Sequence, residues 1–381
     1  MDMELNLNNL YKLPWSKEDN PNGWIEPTTY CQLECPGCYR GLAEKNPLRI
    51  HEDISKIKSD IDLLANSRNI QTLSIAGGEP LLYPKLKEVI TYAAKKGIKT
   101  KVFTNGFVLT KEKLEELKEA GATEFVIHID RFQQRQDFQE FNDINELRSK
   151  FCDMFRKVGN INLGFIMPVS ETNFSDLPSV IGFCKKNSDI INLVVLTPCK
   201  NVLPNTPNSF IDNNIKSIST PKLSEFLCNE YNSQPCAYLS KIFNENSPSW
   251  LFNVPIFFNN TIVGYLDSEL YKAFQQRYYK RKGKYYFTIK GNAVKLFSFF
   301  PFFLRKKVLR IFWNVVKIIL KNPKCIRNPL RYQVILIIDG PEKTIGGWDL
   351  CDGCPDAMIH NKELVPSCLL ERIKKGEKIL L

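Results

Sequence analysis

The sequence predicts an α/β fold built on a parallel sheet. Between residues 25 and 197, six short apolar runs typical of strands alternate with amphipathic stretches long enough to be helices. Strands that alternate in this way with helices form right-handed βαβ units, which place the strands side by side and parallel. Apolar residues make up 43% of the 381 residues, which is enough for a sizeable core and excludes general disorder.

The first three strands are predicted within the first hundred residues. An apolar stretch leads through Ile25 into Tyr30, a second run covers 70–76, and a third covers 98–103. Apolar residues spaced three and four apart indicate the two intervening helices: Ile54, Ile57, Ile61 and Leu64 in the first, and Leu86, Val89, Ile90 and Ala93 in the second.

The rest of the series continues the alternation. Its elements are predicted as helices at 111–120, 147–158 and 177–183 and strands at 125–129, 161–167 and 190–196. Residues 200–222 are rich in Asn, Pro and Ser and are predicted to be a linker or long loop. Beyond this segment the periodicity is lost until the tail of the chain.

Twelve cysteines are present, and their context predicts reduced thiols. The N-terminus carries Asp2 and Glu4 without an apolar stretch, so we expect no secretory signal and a cytoplasmic protein. The sequence has no run of about 18 apolar residues, so no membrane span is predicted. The thiols are therefore expected to bind metal or to carry out redox chemistry, and with three histidines a His-based mechanism is disfavoured.

Three cysteines follow the first predicted strand, in the run Cys31-Gln-Leu-Glu-Cys35-Pro-Gly-Cys38. A helical stripe has the same spacing, but Pro36 and Gly37 break a helix here. A thioredoxin-like pair of Cys35 and Cys38 is the other alternative, and it leaves Cys31 unexplained. Three thiolates from one loop can hold three irons of a [4Fe–4S] cluster, so that the fourth iron is free to chelate a small molecule.

The triplet, followed by Tyr39, resembles the signature of the radical S-adenosylmethionine (radical SAM) superfamily. Gly77-Gly78-Glu79-Pro80, at the end of the second predicted strand, resembles the GGEP motif of the same family. The resemblance covers about residues 25–200 and implies a partial (β/α)6 TIM-like barrel with the cluster at its mouth. It also implies reductive cleavage of S-adenosylmethionine to a 5′-deoxyadenosyl radical, which takes a hydrogen atom from the substrate. The electron would come from a reductant such as flavodoxin or ferredoxin.

The glycine-rich motif and the strand exits are the candidate S-adenosylmethionine contacts. Gly77 and Gly78 would let backbone approach the ligand closely, and Glu79 would accept a hydrogen bond from its amine. The alternative for the motif is an ordinary turn that ends a strand. The resemblance adds further cofactor-binding candidates, which are Tyr39, Thr104, Asn105, His128 and Asp130. For these the alternatives are a common turn sequence and a buried histidine of the core.

A second cysteine group lies in the tail, where Cys351-Asp-Gly-Cys354 precedes Cys368. The CxxC turn is typical of metal thiolates, and the region resembles the SPASM auxiliary-cluster extension of radical SAM enzymes. It has fewer cysteines than the seven-cysteine form, so we expect one auxiliary iron–sulfur cluster. Candidates for the fourth ligand are Cys199, Cys228, Cys236 and Cys325, or the substrate itself. A zinc site that includes His360 and unligated thiols are the alternatives, whereas Cys152 and Cys184 are expected in the core.

The basic charge is concentrated in one segment. From Leu270 to Ile338 there are 17 Lys and Arg and no Asp or Glu, and the segment includes Phe299, Phe300, Phe302, Phe303 and Phe312. Within it, residues 308–320 have the spacing of an amphipathic helix. This pattern indicates peripheral contact with an anionic membrane or a gate for a lipid-like or phosphate-bearing substrate. The alternative is a helix that packs on the barrel, and no nucleic-acid motif favours an RNA partner.

Four segments are expected: an N-terminal extension (1–24), the radical SAM barrel (25–200), a linker with the basic aromatic-rich region (201–340), and an auxiliary-cluster region (341–381). The predicted function is a radical SAM enzyme that acts on an unidentified small-molecule or lipid-like substrate, either lipid-linked or anionic. The alternative is a non-catalytic iron–sulfur or zinc-binding scaffold with the same barrel.

Overall fold

The computed structural model describes residues 5–42, 48–133, 135–137, 144–200, 202, 215–287, 293–294, 302 and 305–381. Its first seven strands are β1 (Tyr11–Lys12), β2 (Asn22–Thr28), β3 (Thr72–Gly77), β4 (Lys99–Thr104), β5 (Ala122–His128), β6 (Asn162–Val169) and β7 (Ile191–Pro198). Strands β2 to β7 pair in parallel with their neighbours in chain order. The six predicted strands are therefore confirmed, although β5 begins three residues before its predicted start.

Five helices connect these strands as expected. They are α1 (Ile54–Arg68), α2 (Leu86–Lys95), α3 (Lys111–Ala120), α4 (Ile144–Val158) and α5 (Leu177–Lys186). Asp53 caps α1 by accepting from Ser55 N–H, and Thr110 caps α3 by accepting from Lys113 N–H at 3.2 Å. Gly121 ends α3 with a φ of +112°, which favours glycine.

The two faces of the parallel strands have different neighbours because successive side chains point to opposite sides. Ile75, Val102 and Ile127 are buried in the cluster beneath the helices. The next residues along the same strands include Ala76 and Phe103, which line an interior cavity. The sheet and its outer helices form the partial barrel that the family resemblance implies.

The sheet continues beyond residue 200. In the described part of 201–340 the elements are α6 (Thr220–Tyr231), β8 (Pro235–Ser240), β9 (Pro248–Asn253), β10 (Pro255–Phe258), β11 (Thr261–Tyr265), α7 (Ser268–Lys282), β12 (Ala293–Val294), α8 (Lys306–Lys321), β13 (Leu330–Tyr332) and β14 (Val334–Ile338). Strand β14 pairs in parallel with β7 and antiparallel with β9, which gives the described sheet the order β1-β8-β9-β14-β7-β6-β5-β4-β3-β2. Strands are present in this region although its sequence lacks apolar periodicity. For example, β9 is buried along its whole length, so its sequence does not alternate between apolar and polar residues.

A second, four-stranded sheet has the order β11-β10-β13-β12. Helix α8 packs on it through Val308, Ile311 and Val315. The approach is close, because a Cβ on Gly264 would lie 2.5 Å from the Ile311 side chain. The amphipathic helix is thus confirmed, but it covers this small sheet and not the barrel.

The tail is made of short elements: β15 (Glu342–Thr344), β16 (Gly347–Asp349), β17 (Ala357–His360), β18 (Glu363–Pro366) and α9 (Leu370–Lys374). Most of the predicted linker 200–222, together with Phe299, Phe300 and Phe303, lies outside the described residues. Among the helices that the structure describes, none has the length and apolarity needed to cross a bilayer. The four segment boundaries stay predictions, and the central sheet takes strands from the first three segments.

Candidate active site at the mouth of the barrel

One cavity of about 390 Å³ runs through the interior of the barrel. At the carboxyl ends of β2 to β4 it is lined by the cysteine triplet, the two glycines and the residues that follow β4. The sequence-predicted site residues on its wall are Cys31, Cys35, Cys38, Tyr39, Gly77, Gly78, Thr104, Asn105, His128 and Cys368. The fold therefore brings together residues that are separated by more than 300 positions in the chain.

The triplet lies in an irregular loop directly after β2. Cys38 N–H donates to Cys35 O at 3.2 Å, and Gly37 between them has a φ of +66°, so the loop is a turn and not a helix. Leu33 N–H and the Asn105 side-chain amide donate to Cys31 Sγ at 3.5 and 3.7 Å. Both contacts direct partial positive charge toward this sulfur, which favours its thiolate form.

Burial sets the protonation of the three thiols. Desolvation raises the pKa of Cys31 to about 11 and raises the pKa values of Cys35 and Cys38 as well, and the charges of neighbouring cysteines add to the effect for Cys31 and Cys35. Neutral thiols are therefore favoured until a cation neutralises them, and binding of a metal cluster would release protons.

The donor set suits an iron–sulfur cluster. Three cysteines on one turn, all at the wall of one cavity, match the thiolate ligation that such clusters require. Across the described residues, no three His, Cys, Asp or Glu side chains are yet arranged around a common metal position. The assignment depends on the chemistry of the donors and on their shared loop.

Gly77 and Gly78 hold the start of the cysteine loop against the end of β3. A Cβ on Gly78 would lie 2.3 Å from Tyr30 O, and one on Gly77 would lie 2.6 Å from Thr28 O. The same close approach lets Gly78 N–H donate to Thr28 O at 2.8 Å. The sequence explained these glycines by close approach to a ligand, whereas in the structure they approach the backbone that leads to Cys31.

Glu79 also holds residues of the site in place. Its side chain is fully buried, and it accepts hydrogen bonds from Thr104 Oγ1 at 2.6 Å, Asn105 N at 2.7 Å and Leu81 N at 3.0 Å. Burial raises the pKa of this carboxyl, and the three hydrogen bonds oppose the shift. Glu79 thus fixes Thr104 and Asn105, and Asn105 in turn contacts Cys31. The contact with a ligand amine that the sequence predicted stays a prediction.

His128, the last residue of β5, and Asp130, which follows the strand, form a pair. The imidazole Nε2 contacts Asp130 Oδ2, and Phe132 N–H donates to Asp130 Oδ1 at 2.6 Å. His128 lines the cavity and is half-buried, so it is not the enclosed core histidine of the alternative. Cys199, at the exit of β7, lines the same cavity, and burial raises its pKa to about 12.

A buried charge network links the cysteine loop to the tail, and the sequence analysis missed it. Glu26, in the middle of β2, accepts from Trp24 Nε1 at 2.9 Å and from Tyr39 Oη at 3.2 Å. Arg40 lies between two carboxylates, with Nε 2.7 Å from Glu26 and Nη1 2.6 Å from Glu371 of α9. The sequence feature that could have predicted this network is Glu26, a glutamate within an apolar strand, because a buried carboxylate needs a charged partner.

The tail thiols form a second group. Cys354 N–H donates to Cys351 O at 3.2 Å, and the Cys354 thiol donates to Cys351, which lowers the pKa of Cys351 and raises that of Cys354. The charge of Cys351 also acts on Cys368, whose pKa is raised mainly by burial. His360, at the end of β17, has a lowered pKa because of burial and the charges of Lys374 and Lys56.

Three of the four candidate fourth ligands have local partners. Cys236 Sγ donates to Phe252 O at 3.4 Å, Cys325 Sγ donates to Asn322 O at 2.9 Å, and Cys228 Sγ contacts Gln234 at 3.8 Å. Cys199 shares its cavity with Cys368. The core positions expected for Cys152 and Cys184 are confirmed, since both are 0% exposed.

Comparisons with known proteins identify the barrel. A family profile described as the radical SAM superfamily matches residues 25–184. The chain is 26% identical over 175 residues to the Fe-coproporphyrin III synthase of Methanosarcina barkeri, an alignment that covers 44% of this chain and 42% of the relative. It is 36% identical over 95 residues to the antilisterial bacteriocin subtilosin biosynthesis protein AlbA of Bacillus subtilis, which covers 25% of this chain and 20% of the relative.

Among solved structures, SuiB of Streptococcus suis bound to its precursor peptide SuiA aligns with 56% of this chain and 47% of its own, at 18% identity and a TM-score of 0.45. The chain spans less than two thirds of the length of each of these relatives. The matched residues include the end of β2, strands β3 to β6, and both motifs. Residues 25–184 of this chain therefore match the radical SAM superfamily.

Proposed function

We propose that this chain is a radical SAM enzyme in which Cys31, Cys35 and Cys38 hold a [4Fe–4S] cluster. The observation that carries the proposal is the shared cavity wall, where the three thiols lie beside Gly77, Gly78 and Asn105. When bound, the cluster supplies the electron that cleaves S-adenosylmethionine reductively, and a reductant such as flavodoxin or ferredoxin supplies it in turn.

The residues of the chain position this chemistry. Glu79, Thr104 and Asn105 form one hydrogen-bonded set that holds the loop beside Cys31. His128 and the backbone at Gly77 and Gly78 face the same cavity, where they would orient the adenosine and methionine ends of the ligand. Most of the lining of the cavity is apolar, which would limit the access of water to a radical.

We further propose that the tail binds one auxiliary iron–sulfur cluster through Cys351, Cys354 and Cys368. Three mutually interacting thiols and the CxxC turn support it. The substrate would complete the ligand set, because Cys199 follows the carboxyl end of β7 whereas the CxxC turn lies at the amino end of β2.

The walls of the cavity favour a substrate that inserts an apolar group into the barrel. Trp24, Phe103 and Ile166 face the interior from three strands, and Trp250 and Phe287 add aromatic surface. The charged side chain of Lys101 is neutralised by Glu124, whose carboxylate lies 3.0 Å away. An apolar group gains from this surface, whereas a charged group would lose hydration without compensation.

The test is anaerobic reconstitution with iron and sulfide, followed by dithionite and S-adenosylmethionine. Release of 5′-deoxyadenosine is expected from the parent protein, and Cys35→Ala should abolish it. Cys152→Ala, a buried cysteine outside the site, is the matched control and should keep the activity. If the parent loads iron but releases no 5′-deoxyadenosine, the enzyme proposal fails and the scaffold alternative stands.

A further inference from the structure

The outward face of α8 is cationic and aromatic. Residues on this face follow the helical repeat and are all exposed: Lys306, Arg310, Trp313, Lys317, Leu320 and Lys321. The opposite face, with Val308, Ile311 and Val315, is buried on the four-stranded sheet. The apolar stripe that the sequence revealed is therefore satisfied within the protein, and it does not account for the outward face.

Large apolar side chains on this face are unusually accessible. Trp313 is 60% exposed and Leu320 is 76% exposed, and Ile326, in the turn after the helix, is 66% exposed. Lys324 and Arg327 in the same turn are exposed as well. Exposed tryptophan and leucine among lysines and arginines are typical of surfaces that lie in the headgroup region of a bilayer.

The charge around the helix has one sign. No acidic residue occurs from Leu270 to Ile338. Asp267 Oδ2 lies 3.0 Å from Lys307 Nζ. Within the part of the chain that the structure describes, Arg310, Lys317 and Lys321 form no ion pair. Such a face attracts an anionic surface.

We propose that this outward face of α8, extended by Lys324, Ile326 and Arg327, binds the surface of an anionic phospholipid bilayer. The cations attract the headgroups, while Trp313, Leu320 and Ile326 insert at the level of the carbonyl region. Nucleic acid would satisfy the cations alone and would leave two exposed aliphatic side chains in water, so the bilayer fits the whole face better. The proposal is independent of the proposed enzymatic activity.

Sedimentation with vesicles tests the proposal directly. The full chain should bind phosphatidylcholine vesicles that contain phosphatidylglycerol about tenfold more strongly than pure phosphatidylcholine vesicles, and added salt should weaken the binding. The triple variant Arg310→Gln, Lys317→Gln, Lys321→Gln should lose about tenfold or more of this affinity. The matched control Lys85→Gln, Lys95→Gln, Lys186→Gln, which removes three exposed lysines elsewhere, should bind like the parent.

Fluorescence gives a second readout, because Trp313 is the one tryptophan of the five that is exposed in the described structure. Brominated lipids should quench the emission of the bound parent protein, and Trp313→Phe should remove this quenching while binding persists. Thermal unfolding of each variant checks that the fold is intact. Equal binding to both vesicle types, unchanged binding of the triple variant, or tighter binding to a single-stranded RNA oligonucleotide than to anionic vesicles would overturn the proposal.

Discussion

The two cysteine groups are held at opposite ends of the same strand and by different kinds of contact. Cys31 follows the carboxyl end of β2, and its loop is fixed by Gly78 and Asn105 from the next two strand exits. The tail CxxC is docked at the amino end of β2, where Arg68 Nη2 donates to Cys354 O at 2.7 Å. Asn22, the first residue of β2, donates to Asp356 Oδ1 at 2.9 Å.

The group that contains Cys31 is therefore held by the strands of the barrel, whereas the group that contains Cys354 lies in the tail, which packs against the barrel. Arg40 connects the two, because it contacts Glu26 of β2 and Glu371 of α9. The two groups should therefore respond separately to changes in their thiols and jointly to changes in Arg40. The predictions below test this separation.

The largest difference is expected between Cys35→Ala and Cys354→Ala. Each variant should lose about four irons per chain relative to the reconstituted parent, because each removes one cluster. Cys35→Ala should also lose all release of 5′-deoxyadenosine, whereas Cys354→Ala should retain release, since the triplet is intact. Iron analysis and chromatography of the nucleoside measure both effects. Loss of release in both variants would show that the two groups act as one site.

Arg40→Met should destabilise the protein by about 3–5 kcal/mol, because it leaves the buried Glu26 carboxylate without its cation. Glu371→Gln should lower the free energy of unfolding by less, about 1–2 kcal/mol, because Glu371 is partly exposed and the ion pair between Arg40 and Glu26 remains. Chemical denaturation measures both values. Arg327→Met, at an exposed arginine, is the control and should change stability by less than about 0.5 kcal/mol. If Arg40→Met lowered the free energy of unfolding by no more than Arg327→Met does, the buried charge network would be ruled out.

Two glycine variants distinguish the groups by steric means. Gly78→Ala places a methyl group 2.3 Å from Tyr30 O. Gly353→Ala places a methyl group 2.1 Å from Trp15 O, and Gly353 in addition has a φ of +68°, which favours glycine. Each should cost about 1–3 kcal/mol, and each should lower iron occupancy only in its own group. Gly182→Ala, in the middle of α5 with no atom within 4 Å, should instead stabilise by about 0.5–1 kcal/mol. Denaturation and iron content check all three, and equal iron loss in both groups would contradict their separation.

The smallest effect is expected at the core cysteines. Cys152→Ala should cost about 1 kcal/mol and leave the iron content unchanged. Burial raises the pKa of Cys152 and of Cys184 to about 12, so both are neutral thiols near pH 7. Iodoacetamide should therefore modify them only after unfolding, because the thiolate is the reactive form. Mass spectrometry of labelled native protein would show rapid modification if either residue belonged to a reactive site.

The sequence by itself determined the six strands, their connecting helices and the triplet. These features depend on local patterns, namely apolar periodicity, a proline and glycine that break the helix, and a cysteine spacing that suits one turn. Strands β8, β9 and β14 could not be predicted in the same way. They are largely buried within the sheet, so their sequences lack the alternation that marks a strand with one exposed face.

Only the tertiary structure decided which partners the site residues have. Gly78 packs on Tyr30, Glu79 holds Asn105, and Arg40 joins Glu26 to Glu371 across 345 positions of the chain. The sequence also could not decide which surface of α8 is free, because an amphipathic pattern shows that a helix has an apolar face but not what covers it. Those outcomes depend on contacts between distant segments, which form only when the sheet closes and the tail docks on it.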